Sequence, residues 1–298
     1  MSEVLINSRD GVVLAATLTL SVRTPAPAVI GLHGASGGTR ADPLVARLHA
    51  LLPPAGFTAL TFDRRGEGES AGSPSLGNFE VQAQDAAAIA AWLRGLPEVT
   101  EVGTFGFSQG AWVGPVALRE AGFRFLILAG ACGVTPAAQM RFGVTAHLRR
   151  NGYDERAVEQ ALRARLLVED HAHGSASAED VRDVLAAAAR EPWWELASLP
   201  AVPFDEQERA AWCVEMDFDP VPSIAAVDVP TLLLYGSDDL WLPVDESVAV
   251  WRRHHPDVEV AHAAGASHEL RRDGQPAHEI EQRLLAWLNQ LHSGVDRR

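Results

Sequence analysis

The segment Phe105-Gly106-Phe107-Ser108-Gln109-Gly110-Ala111 constrains this chain more than any other. An apolar, β-prone stretch leads into it from Val99 to Phe107, and a stretch of helical spacing leaves it from Ala111 to Arg119. Gly106 and Gly110 stand two residues either side of Ser108. That spacing has a steric cause: a sharp strand-to-helix turn strains the residue at its apex, and side chains two residues away would collide where strand and helix cross. A serine held this way projects its hydroxyl beyond the end of a sheet. The elbow therefore calls for a buried strand, a following helix, and loops at the same sheet edge that carry partners for the serine.

The rest of the chain supplies such a sheet. Glu3–Asn7 and Val12–Ser21 flank an Arg9-Asp10-Gly11 turn and read as a hairpin. Apolar strands are expected at Ala28–Leu32, Phe57–Phe62, Val99–Phe107 and Phe123–Ala129, with helices at Pro43–Leu52 and Glu80–Leu96 between them. The alternation then stops. Residues 133–229 read as mainly helical and polar, with loops near Pro192–Phe204 and Pro220–Pro222. Strands return at Thr231–Tyr235 and Val258–His262, with helices at Asp245–His254 and Ala277–Leu291. The pattern predicts an α/β fold: a mostly parallel eight-stranded sheet, helices on both faces, and a helical lid inserted after strand 6. The catalytic domain is expected over 1–132 and 230–298, with the lid over 133–229.

Composition excludes several function classes. The chain of 298 residues carries a net charge of −14, which opposes nucleic acid and anionic membrane surfaces as partners. All 25 basic residues are arginine, so no lysine can form a Schiff base or serve a Ser-Lys pair. No apolar run reaches the roughly eighteen residues of a membrane span, and Met1-Ser2-Glu3-Val4 lacks the features of a signal peptide. Two cysteines, Cys132 and Cys213, are too few for a disulfide framework, and a cytoplasmic protein is the expectation.

A serine hydroxyl becomes a competent nucleophile only beside a base whose tautomer a third group fixes. In a parallel sheet these partners belong in loops at the carboxyl ends of later strands. Gly236-Ser237-Asp238-Asp239-Leu240-Trp241-Leu242-Pro243 follows the seventh strand, and Ala263-Ala264-Gly265-Ala266-Ser267-His268 follows the eighth. The order is thus serine, aspartate, histidine.

With these motifs, and with His33-Gly34-Ala35-Ser36-Gly37-Gly38 after the third strand and Asp63-Arg64-Arg65-Gly66-Glu67-Gly68-Glu69-Ser70 after the fourth, the chain resembles the α/β-hydrolase superfamily along nearly its whole length. Within it the chain is similar to carboxylesterases related to dienelactone hydrolases, acyl thioesterases and prolyl oligopeptidase catalytic domains. The resemblance implies that Ser108 attacks, His268 acts as base and then acid, and Asp239 orients the imidazole. Asp238 is the rival acid, and the family's glycine-to-aspartate and aspartate-to-proline spacings select Asp239. It also implies oxyanion donors at the backbone N–H of Gln109 and of Ala35. No cofactor and no metal are implied.

Other residues receive plainer readings. His33 is expected to buttress the oxyanion loop. Glu169, Asp170, His171 and His173 look like metal ligands but read as a solvated face or loop. Arg271-Arg272 and His254-His255 read as exposed charges. In the lid, Phe142, Trp193, Trp194, Trp212 and Met216, with Trp241 from the aspartate loop, are the candidate substrate-binding side chains. Between Asn151 and Asp219 sixteen acidic residues face six arginines, so most of the net charge lies in the insertion. The expected function is cleavage of a carboxylic ester of a small to medium, largely apolar molecule. Alternatives are an acyl thioesterase, a lactone or C–C bond hydrolase, a proline-iminopeptidase-like aminopeptidase, or a non-catalytic receptor of the same fold. The only partner expected is the small-molecule substrate, and monomer and homodimer both remain open.

Overall fold

The computed structural model describes residues 1–75 and 77–293. Eight strands form one sheet: β1 (Ser2–Asn7), β2 (Val13–Thr19), β3 (Ala26–Leu32), β4 (Thr58–Phe62), β5 (Val99–Phe107), β6 (Leu126–Ala129), β7 (Thr231–Gly236) and β8 (Glu259–Ala263). Their order is β1-β2-β4-β3-β5-β6-β7-β8. The β1–β2 hairpin and the β2–β4 pair are antiparallel, and every later pair is parallel. Every residue of β4, β6 and β7 is buried, as expected of strands covered on both faces. At the edge, β1 buries only Ile6.

Alternating residues of the central strands feed two helical layers. Phe105, Phe107, Phe125, Ile127, Leu232 and Leu234 pack with Leu48 and Leu52 of α2 (Leu48–Ala55) and with Ile280, Leu284 and Leu288 of α11 (His278–Ser293). On the other face lie α3 (Phe79–Arg94) and α4 (Gln109–Ala121), which pack side by side. Gly114 of α4 sits so close that a Cβ there would touch Leu128 and Thr104 of the sheet. The single helix expected over Pro43–Leu52 is divided into α1 (Pro43–Ala46) and α2.

The chain forms two compact units. The first comprises Met1–Gly133, Pro220–Asp239 and the chain from Val244 onward, including α9 (Val221–Ala225) and α10 (Val244–His254). Pro220–Pro222, expected as loop, begins α9, because proline is tolerated in a helix's first turn, where its missing N–H has no acceptor to satisfy. The second unit comprises Val134–Asp219 and Leu240–Pro243. It holds α5 (Pro136–Arg150), α6 (Glu155–Ala172), α7 (Ala178–Ala188) and α8 (Glu206–Met216). The side chains of Thr135, Asp154, Ser177 and Asp205 cap these four helices at their N-termini.

Two expectations for the second unit are corrected. Trp193, expected to bind substrate, is instead packed into this unit's core, 2% exposed, with Val144, Leu148, Val158 and Ala161. Glu169 and His171 are not on a solvated face: both are buried on α6. The His171 ring nitrogens face the carbonyls of Ala176 and Phe204, and Glu169 pairs with Arg141. Burial raises the Glu169 carboxyl above its usual range, with Arg141 acting against it. Partners distant in sequence make this burial tolerable. Arg271–Arg272 is exposed, as expected, but forms a small two-stranded ladder with Gln275–Pro276. Among the described residues no helix is long and apolar enough to cross a membrane.

Candidate active site

At the end of β5 the backbone turns sharply, and Ser108 takes φ +51° and ψ −108°. A non-glycine residue at positive φ is strained, and the surroundings hold it there. The Ser108 N–H donates to the Ala129 carbonyl at 2.8 Å, and its carbonyl accepts from the Ala111 N–H. The flanking glycines are sterically required. A Cβ on Gly106 would stand 2.3 Å from the Gly110 oxygen, and one on Gly110 would stand 2.5 Å from the Leu32 oxygen. The side chain of Ser108 is left half-buried at the sheet's carboxyl edge.

The loops after β7 and β8 are laced together. The Ser237 N–H donates to the Ala263 carbonyl at 2.9 Å and the Asp238 N–H to the Ala266 carbonyl at 3.0 Å. The Gly265 N–H donates to Ser237 Oγ. A Cβ on Gly236 would meet the Ala266 and Ser267 oxygens at 2.2 Å, so this glycine permits the close approach. The lacing brings Asp239 to His268. Nδ1 of His268 lies 2.7 Å from Asp239 Oδ2, and Nε2 lies 2.9 Å from Ser108 Oγ. Because a carboxylate only accepts, Nδ1 carries the proton and Nε2 is left as the base facing the serine. The imidazole also rests against the Phe107 ring, with centroids 5.1 Å apart. Asp239 and His268 are both buried, whereas Asp238 is exposed.

The oxyanion candidates flank the same serine. Gln109 is the first residue of α4, where a backbone N–H has no acceptor within the helix. Ala35 lies exposed in the turn after β3. Beneath that turn His33 is buried, its Nε2 2.6 Å from the Phe62 carbonyl and its ring edge-on to Phe62. Burial pushes the imidazole down to about 4, so it stays neutral and its Nε2–H donates to that carbonyl. Asp63 ties the neighbouring loop, accepting from the N–H groups of Arg40 at 2.7 Å and Glu69 at 2.9 Å.

The remaining sequence candidates belong to the second unit. Trp194 packs partly buried against both apolar clusters of the helical unit. Trp212 and Met216 are half-buried on α8, and the Trp212 ring meets His173 edge-on. Trp241 lies 4.6 Å from the His147 ring, and Phe142 is 38% exposed. Among the described residues one group has side chains placed to hold a metal ion, namely His173, Cys213 and Asp217. Only His173 belongs to the cluster expected from sequence. Its Nε2 pairs with Asp217 at 3.0 Å, and this partner raises the imidazole above its usual value. The sequence does not point to Cys213 and Asp217, because their relation to His173 is tertiary, although their spacing of four sets Asp217, the C-cap of α8, one turn beyond Cys213.

The sequence profile of the X-Pro dipeptidyl-peptidase (S15 family) matches residues 10–268. Similar solved structures include the protein Est1E of Butyrivibrio proteoclasticus with ferulic acid bound, at 16% identity and a TM-score of 0.64 over 96% of this chain and 98% of that one. The esterase Pf2001 of Pyrococcus furiosus matches at 18% identity and 0.64, over 97% and 89%. An esterase of Exiguobacterium antarcticum matches at 19% and 0.61, over 97% and 100%. At such identities these structures show a shared fold.

Proposed function

As a member of the X-Pro dipeptidyl-peptidase (S15) family the chain is a serine-dependent hydrolase, and from that premise we propose that it cleaves a carboxylic ester through an acyl-enzyme on Ser108. The observation that carries this reading is the unbroken relay from Asp239 through His268 to Ser108, at 2.7 and 2.9 Å. In the proposed reaction Nε2 of His268 takes the Ser108 proton as Oγ attacks the carbonyl carbon. Asp239 holds the tautomer and stabilises the imidazolium that forms. The developing oxyanion accepts from the Gln109 and Ala35 N–H groups, with the N-terminus of α4 adding its partial positive charge. The imidazolium then protonates the leaving alcohol, and water, activated by the same nitrogen, releases the acid.

The proposed substrate is small to medium in size and largely apolar. Phe142, Trp212, Met216 and Trp241 are the side chains proposed to bind it, since the helical unit's own core does not fully enclose them. A net charge of −14 favours neutral over polyanionic substrates such as acyl-CoA. The family match supports a second reading, cleavage of an amide after an Xaa-Pro unit, which the same relay could perform. The two separate when the purified protein is assayed on p-nitrophenyl acetate and butyrate and on Xaa-Pro-p-nitroanilides. The ester reading expects the higher kcat/KM on the esters. A higher value on the anilides would put the peptidase reading first.

A further inference from the structure

The Asp63–Ser70 loop holds two adjacent arginines with different surroundings. Arg65 grips carboxylates, reaching Asp85 through Nε at 2.7 Å and Asp10 through Nη1 at 2.7 Å. That is a clamp within the scaffold. Arg64, 2% exposed, reaches oxygens around the elbow through its two Nη groups. Its Nη2 donates to the Gly34 carbonyl at 2.8 Å and the Gly37 carbonyl at 3.1 Å, and its Nη1 donates to Gln109 Oε1 at 3.1 Å. Its own backbone N–H donates to the Gly38 carbonyl at 2.6 Å. The guanidinium fills the space beneath this turn so closely that a Cβ on Gly38 would stand 3.0 Å from Nη2.

A guanidinium has donors and no acceptor, so the Gln109 atom that faces it must be the amide oxygen. That oxygen also accepts from Gln82 Nε2 at 3.1 Å, and Gln82 Nε2 in turn donates to the Ser75 carbonyl. The Gln109 side chain is thereby held from two directions. Both backbone segments assigned to the oxyanion hole, 34–37 and Gln109, are thus fastened to one rigid fork. Burying a guanidinium is costly, and scaffold stability alone would be served as well by an apolar side chain. Placement of two N–H groups to within a fraction of an ångström is what such a fork supplies and an apolar residue does not.

We propose that Arg64 is the positioning residue of the oxyanion hole: it sets the separation and aim of the Ala35 and Gln109 N–H groups and brings a fixed positive charge near the developing oxyanion. The assignment rests on the acyl-transfer reading above. Loss of Arg64 should raise the barrier of the chemical step and leave ground-state binding nearly untouched.

The test compares the wild type with Arg64→Met and Arg64→Lys on p-nitrophenyl butyrate, or on an Xaa-Pro-p-nitroanilide should the peptidase reading hold. Each protein is also titrated with a trifluoromethyl ketone, which forms a tetrahedral oxyanion, and with the methyl ketone of the same shape. Arg64→Met should lower kcat by about 30- to 100-fold, with KM within about threefold. Its Ki for the trifluoromethyl ketone should rise by a similar factor, and that for the methyl ketone should not. Arg64→Lys keeps the charge but not the fork, and should fall about tenfold with the same split, which serves even if the methionine variant does not fold. A folded Arg64→Met with kcat within threefold of wild type overturns the proposal. Equal weakening of both ketones does the same, since a loosened scaffold would do that. A wild type that turns over neither substrate class removes the acyl-transfer reading and Arg64's role together, a result distinct from the loss of Arg64's role alone.

Discussion

The relay at the sheet edge and the polar group inside the helical unit contain similar chemistry: each buries a histidine and a carboxylate. They differ in what the groups are joined to. His171 and Glu169 are joined only to groups that do not react, the histidine between two carbonyls and the carboxylate against Arg141. His268 is joined on one side to buried Asp239 and on the other to a half-buried hydroxyl on strained backbone. Polar burial in the first case leads only to scaffold groups, and in the second it leaves one basic nitrogen aimed at a group that can react. Titratable residues in a protected place are therefore poor evidence of a site until one of their bonds leads outward.

The sharpest way to break this comparison is Ser108→Ala, which should lower kcat about 10⁴-fold or more in a folded protein, because the members of a relay act as a unit. Glu169→Gln should instead change kcat by less than about threefold. Steady-state kinetics on p-nitrophenyl butyrate reads both, and a similar loss from the two changes would erase the distinction. Asp239→Asn should cost about 10³-fold, since the amide can present its N–H to Nδ1 and select the wrong tautomer. Asp238→Asn, at an exposed carboxylate, should stay within about tenfold. The reverse ranking would transfer the orienting role to Asp238.

Stability sharpens the contrast from the other side. Trp193→Ala should destabilise the protein by about 3–5 kcal/mol in chemical unfolding, as for other large core aromatics. The butyrate-to-acetate turnover ratio should stay within about twofold. A changed ratio with little loss of stability would return Trp193 to the substrate pocket.

The smallest effect concerns His33. Its imidazole titrates near 4 when folded and near 6.5 when free. As pH falls below 6.5 the unfolded chain takes up a proton that the folded chain refuses until about 4. Stability is therefore lost between these values, by about 3 kcal/mol, and no further below them. His33→Gln should flatten that part of the stability-pH curve by a comparable amount, measured by urea unfolding from pH 7 to pH 4. An unchanged slope would mean that His33 is protonated in the fold.

What sequence reveals divides along the same line. The elbow was legible because a sharp strand-to-helix turn leaves a local signature, Gly106 packing on Gly110 four residues on and Ser108 at the strained apex. Asp239 and His268 were legible because the order of strands sends their loops to one edge. Trp193 was not, since a tryptophan in a helical insertion has the same neighbours in sequence whether it lines a pocket or fills a core. Nor was the burial of Glu169 and His171, which depends on Arg141 and on the carbonyl of Phe204, the first 28 and the second 33 residues away. The part played by Gly236 needed the Ala266 and Ser267 carbonyls in place before its missing side chain had a reason.

Covalent trapping tests the nucleophile most directly. The wild-type protein, treated with a fluorophosphonate and analysed by intact mass and peptide mapping, should gain one adduct per chain, carried by Ser108. Ser108→Ala should gain none, and His268→Ala should react far more slowly. An adduct of equal yield on folded Ser108→Ala, or one mapped to another residue of the wild type, would contradict the account.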